Sequence, residues 1–215
     1  MHIGITVQNI KHPSYEEFGH YLNIRWQEFA KEVGFSLIPI TSISTLEKMV
    51  SEKYIKGAIL SGGGDLSENF PNEIGEKKDL NNVDLEREEI EKKLIQFSLQ
   101  TQVPLIGICR GMQALGKFFG GKLSKIDNHV NTRHSFEYYC PVIKNKIKRS
   151  VNSFHDYCFE INEIPNCFQV NVEYMSSVEQ IIHNNERMLG IMWHPEREIK
   201  FSQFDIQLFK NFLRL

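Results

Sequence analysis

Apolar and polar positions alternate between strand-like and helix-like periods along the first half of the chain. The run HIGITV (2–7) predicts a buried strand. Over 15–33, Phe18, Leu22, Trp26, Phe29, Ala30 and Val33 share one helical face ahead of Gly34, predicting a helix that stops there. SLIPI (36–40) is a second strand, a short helix follows around 45–52, and GAIL (57–60) is a third strand ended by SGGGDL. Residues 66–83 hold Pro71, Gly75 and several asparagines with little periodicity, so they predict a long loop. Asp84, with acidic residues just after it, marks the start of a helix over 85–101. VPLIGI (103–108) is a fourth strand that turns at once into a helix, RGMQALGKFFG, ending at Gly120–Gly121.

This βαβ rhythm implies a parallel sheet with helices on both faces, an α/β fold in three α/β/α layers. Ligands in such sheets sit at the carboxyl ends of the strands. That rule gathers Gln8 and Asn9, the glycines 62–64, and Cys109 into one place. The segment 123–193 is less helical: FEYYCPV (136–142), FQVNVEY (168–174), VEQII (178–182) and MLGIMW (188–193) predict strands, with HNNER (183–187) a hairpin turn. QFDIQLFKNFLRL (203–215) is amphipathic, with Phe204, Leu208 and Leu215 among its apolar positions, and predicts a helix packed on the sheet.

Length and charge narrow the picture. With 215 residues, 41% of them apolar, one domain over 1–215 is expected. The 25 basic and 27 acidic residues nearly cancel, so no global field recruits nucleic acid or an anionic membrane. Neither a secretory leader nor a membrane span is recognisable, and a cytoplasmic location is expected. Cys109, Cys140, Cys158 and Cys167 have no metal-like spacing with histidine, so no metal or cofactor is expected and a reactive thiolate is permitted.

Gly107–Ile108–Cys109–Arg110–Gly111 has the form of a nucleophile elbow, in which glycines on both sides leave room for a strained strand-to-helix turn. A thiol at a helix N-terminus beside a cation has a lowered pKa. A leaving amine needs an acid, and MWHPERE (192–198) offers His194 at a strand end, with Glu196 two residues on to hold its second ring nitrogen. SGGGD can turn backbone N–H groups toward an oxyanion, together with the amide of Arg110. Each piece has a bland alternative: a buried small residue, a structural histidine, a tight turn.

Taken together, LSGGGD (60–65), PLIGICRGMQ (104–113) and GIMWHPE (190–196) resemble the class I glutamine amidotransferase superfamily, whose flavodoxin-like fold the resemblance implies. CRGMQ, the glycines 120–121 and VNSFH (151–155) are similar to its stand-alone γ-glutamyl hydrolases. The resemblance implies Cys109 as nucleophile, His194 as general acid and base, and Glu196 as its orienter. It implies Gly63 and Arg110 as oxyanion-hole amides, with Gly62 or Gly64 as substitutes for Gly63. Gln113, Ser153, Phe154 and His155 match positions that hold the α-amino and α-carboxylate end of a glutamyl group. His155 is also a rival for the role of base.

The leaving group is less constrained. KNKIKR (144–149) places four cations just ahead of VNSFH, either as a solvated turn or, with Arg133 and His134, as a receptor for an anionic leaving group. The leading specific substrate implied by the resemblance is a γ-glutamyl amide whose nitrogen carries cytidine diphosphate. Its products would be glutamate and a cytidine diphosphoramidate used on capsular polysaccharide. A γ-glutamyl aminobutyrate, a glutamylated polyamine, and a glutaminase subunit feeding ammonia to a synthase are the alternatives. The expected partner is the small-molecule substrate, with no nucleic acid, membrane or obligatory synthase, and with homo-oligomerisation left open.

Overall fold

The computed structural model describes residues 1–72 and 82–215. In chain order its elements are β1 (His2–Thr6), β2 (Gln8–Lys11), β3 (Phe18–Tyr21), α1 (Arg25–Val33), β4 (Ser36–Ile40), α2 (Ile43–Ser51), β5 (Ala58–Leu60), α3 (Leu85–Thr101), β6 (Leu105–Ile108), α4 (Arg110–Phe118) and β7 (Ser124–Lys125). There follow β8 (Val130–Cys140), β9 (Asn145–Phe154), β10 (Tyr157–Cys158), β11 (Phe168–Tyr174), β12 (Ser177–His183), β13 (Met188–Ile191), a 3-10 turn at Pro195–Arg197, and α5 (Gln203–Leu213).

Seven strands form the central sheet in the order β11-β12-β13-β6-β5-β1-β4. β13, β6, β5, β1 and β4 run parallel, while β12 pairs antiparallel with both β11 and β13. The side chains alternate as a pleated strand requires. Ile3, Ile5, Ile59, Ile106, Ile108, Leu189 and Ile191 face one layer with α1 and α5, where Phe29 and Phe209 meet edge to face at 5.0 Å. Ala58, Leu60, Leu105 and Met188 face the other, with Leu46, Ile90, Leu94, Met112 and Leu115 of α2, α3 and α4. No described helix is long and apolar enough to cross a membrane.

Several elements differ from expectation. The helical stripe over 15–33 is helix only from Arg25; ahead of it β2 and β3 pair as a hairpin and Phe18 is 72% exposed. A Lys11–Glu16 ion pair at 2.6 Å and a His12–Tyr15 stack close that hairpin, and the Asn23 side chain accepts the Arg25 amide at 3.0 Å just before the helix. Such local bonds outcompete a periodicity that has nothing to pack against. KNKIKR is not a turn: β8 and β9 form one long antiparallel hairpin, and residues 145–149 lie inside its second strand. Half of the expected loop 66–83 falls on 73–81, outside the described residues.

Candidate active site

β6 and β13 are neighbours in the sheet, with Ile108 opposite Ile191, and the Cys109 amide donates to Ile191 O at 2.7 Å. The ladder therefore delivers Cys109 and His194 to the same sheet edge from distant parts of the chain. Cys109 has φ 50° and ψ −107°, a sparsely populated conformation that costs on the order of 1–3 kcal/mol. The flanking glycines make the turn sterically feasible. A Cβ on Gly107 would lie 2.5 Å from the Gly111 carbonyl oxygen, and one on Gly111 would run into the Leu60 carbonyl.

Cys109 is buried, 6% exposed as a residue, which opposes ionisation of its thiol. The positive charge of and hydrogen bond from His194, with the charges of His155 and Arg197, nonetheless bring its pKa below the ordinary value. His194 mirrors this. Burial pulls it down, but Glu196 and the Cys109 thiolate raise it to about 9. Its Nδ1 lies 2.8 Å from Glu196 Oε1, leaving Nε2 for the thiol. Asn152 fixes the histidine backbone from both sides, accepting the His194 N–H and donating to its carbonyl, each at 2.8 Å.

The glycine loop meets both. A Cβ on Gly62 would sit 2.5 Å from His194 Cε1; Gly63 and Gly64 have φ +87° and +73°, and the Gln8 side chain lies beside them. The Arg87 guanidinium donates to the carbonyls of Ser61, Gly62 (3.2 Å) and Gly63 (2.8 Å). A cavity of about 250 Å³ opens at this point, lined by Gly63, Cys109, Gln113, Phe154, His155 and Arg197 among others.

The structure thus brings together Cys109, His194, Glu196, Gly63, Arg110, Gln113, Phe154 and His155, but not Ser153. That side chain is buried and donates to His129 O at 2.5 Å. The Arg110 guanidinium is not the cation beside the thiol. It turns into the core, where Nη1 meets Glu91 Oε2 at 2.5 Å and Nη2 lies 3.8 Å from Glu88. Nor do the cations of 144–149 reach the cavity. Lys146 and Lys148 are exposed on β9, Arg149 pairs with Asp205 at 2.7 Å, and Arg133 pairs with Glu198. Strand alternation explains it, since successive side chains leave opposite faces of the hairpin. Among the described residues Arg197 does line the cavity, its guanidinium centre 4.8 Å from the Phe154 ring.

His155 cannot act freely as a base. Its Nδ1 lies 3.1 Å from Tyr157 O and its Nε2 3.4 Å from Glu179 Oε1, so both nitrogens face acceptors. Glu179 also takes the Ser177 hydroxyl at 2.8 Å and lies 3.3 Å from His134 Nδ1. Burial opposes its ionisation, but contacts from His134 and His155 hold it at about 2, and Glu179 in turn holds His155 above the ordinary histidine value despite burial. With His129, these residues present four donor atoms of metal-ligating type within 4.8 Å of one another. Glu179 Oε1 thus stands between two imidazoles, at 3.3 and 3.4 Å.

Against known proteins, a family model described as peptidase C26 matches residues 2–196. The chain is 32% identical over 217 residues to the γ-glutamyl-CDP-amidate hydrolase of Campylobacter jejuni, covering 100% of this chain and 98% of that one. It is 25% identical over 201 residues to a glutamine-hydrolysing GMP synthase subunit of Methanococcus maripaludis, covering 91% and 92%. Among solved structures, PurLQS of Thermotoga maritima superposes with a TM-score of 0.65 at 13% identity, covering 99% of this chain and 97% of that chain. A glutamine amidotransferase of the same organism gives 0.61 at 13%, covering 99% and 84%. Both show a shared fold.

Proposed function

Because this chain belongs to the peptidase C26 family, we propose that it hydrolyses a γ-glutamyl amide through Cys109, His194 and Glu196. One observation carries this: a strained cysteine whose pKa is lowered by a histidine, and that histidine's Nδ1 is held by a carboxylate at 2.8 Å. The Cys109 thiolate attacks the γ-carbonyl carbon, and the carbonyl electron pair moves onto oxygen, met by the amides of Gly63 and Arg110. As that pair returns, the C–N bond breaks and His194 gives its proton to the departing nitrogen. The glutamyl-thioester that remains is hydrolysed by a water whose proton His194 takes, releasing glutamate and the thiolate.

For the leaving group we propose cytidine diphosphate attached through the amide nitrogen. The Campylobacter relative supports it, and so does Arg197, a cation in the cavity wall suited to a phosphate. Glutamine hydrolysis for a synthase is the second reading, favoured by the GMP synthase relatives. Glutamate release from a panel of γ-glutamyl amides, including glutamine and the cytidine-diphosphate-linked amide, tests both. Fast turnover of glutamine alone overturns the first reading, and no turnover by either sinks the hydrolase assignment.

A further inference from the structure

Glu91 is fully buried in α3, yet it touches nothing that reacts. Its Oε1 accepts from Arg87 Nε at 2.8 Å and from the Thr6 hydroxyl at 3.3 Å; its Oε2 meets Arg110 Nη1 at 2.5 Å. Glu88 approaches Arg110 from the other side at 3.8 Å and takes the Ser67 amide and hydroxyl, each at 2.6 Å. Two arginines and two glutamates form a cluster without net charge, the condition under which four charges can be buried together. The two arginines go to different parts of the site.

Arg87 holds the carbonyls of Ser61, Gly62 and Gly63. A trans peptide is planar, with its C=O and N–H pointing opposite ways. Drawing the Gly62 carbonyl toward Arg87 therefore sends the Gly63 N–H away from α3, and drawing the Gly63 carbonyl does the same to the Gly64 N–H. Both residues line the cavity. Arg110 supplies its own amide at the first turn of α4, and its side-chain Nε donates to Asp65 O at 3.1 Å, tying down the far end of the glycine loop.

We propose that Glu91, acting through Arg87 and Arg110, is the positioning residue that aims both halves of the oxyanion hole. One carboxylate sets the direction of the glycine-loop amides and anchors the residue whose amide completes the pair. The proposal rests on the hydrolase reading above. Without Glu91 the loop peptides are free to rotate, and N–H groups that stabilise only the transition state are lost while the thiolate remains.

The test compares two reactions of one cysteine in the E91Q and R87K variants. Amide hydrolysis needs the oxyanion hole; alkylation by iodoacetamide, in which the Cys109 Sγ–C bond forms as iodide leaves, does not. Removing one oxyanion donor costs about 10²–10³ in kcat, and misdirecting a donor is expected to lower kcat about 10- to 100-fold, with KM within about threefold and the alkylation rate within about twofold. R87K retains the charge but can reach fewer carbonyls, so a smaller loss than in E91Q is expected. Unchanged kcat in both variants overturns the proposal. So does a parallel fall of kcat and alkylation, which would show a collapsed site. A wild-type protein that alkylates but cleaves no γ-glutamyl amide refutes the hydrolase reading instead.

Discussion

Glu196→Gln keeps the shape of the side chain beside His194 and removes its charge. At an effective dielectric of about 20, unit charges at the observed 2.8 Å attract by roughly 6 kcal/mol. Burial opposes that attraction, and His194 is left raised from 6.5 to about 9, a net of about 3.4 kcal/mol at ~1.36 per unit. Glu196 is the largest of the contacts that raise His194 against burial, so E196Q is expected to bring His194 from about 9 down to its ordinary 6.5 or below. The thiolate then loses its counter-charge at the pH where it must act. Iodoacetamide alkylation of wild-type Cys109 should stay fast well below the ~8.5 of a free thiol. In E196Q the rate at pH 6 should fall about 10- to 100-fold and climb with pH as for an ordinary cysteine. Stability gives a second readout. A histidine raised to about 9 contributes fully below pH 6.5 and loses that contribution as pH rises through about 9. The alkaline fall of the unfolding midpoint should therefore flatten in E196Q. A variant with the wild-type alkylation profile would refute the coupling of Glu196 to the thiol.

Gly62→Ala puts a methyl group 2.5 Å from His194 Cε1, and displacing the imidazole should lower kcat by about 100-fold or more while the melting temperature holds; full turnover would show that the loop yields. Replacing Lys146 and Lys148 together by serine should leave kcat/KM for an anionic γ-glutamyl amide within about twofold, because both project from β9 into solvent. A tenfold rise in KM would place them against the substrate after all. Asp205→Asn breaks a buried pair with Arg149, bonded at 2.8 and 2.7 Å, and weakens the bond from Trp193 Nε1 at 3.0 Å. A cost of about 3–5 kcal/mol, or about 10 °C in Tm for a chain of this size, should appear in thermal unfolding, and a shift under about 2 °C would contradict it.

The parallel sheet was legible because its inner strands β1, β5, β6 and β13 are buried almost throughout and read as apolar runs; β4, β11 and α3 also lie where the pattern puts them. Cys109, His194 and Glu196 were legible too, since the elbow and the strand end are local geometry written in neighbouring residues. Arg87 and Glu91 were not. The stretch LEREEIEKKLIQ is so rich in charge that its buried Arg87, Glu88 and Glu91 look no different from Glu86 and Glu89 on the solvent side. Their partners lie on other elements, and only the tertiary arrangement reveals them. Asn152 was hidden in the same way inside VNSFH, and Arg197 behind the more conspicuous cations of 144–149. A run of like charges marks a surface, whereas a single cation beside Glu196 is set by the chain's exit from the sheet.

The main-chain ladder between β6 and β13 acts as a ruler. Most of the distance from nucleophile to acid is set by peptide hydrogen bonds, which form whatever the side chains are, with Asn152 completing the hold at His194. The segments between Cys109 and His194 can then lengthen, shorten or exchange one strand for another while the reacting pair keeps its spacing. A site held this way is inherited through the backbone, so changes in its surroundings can try new leaving groups without first rebuilding the chemistry.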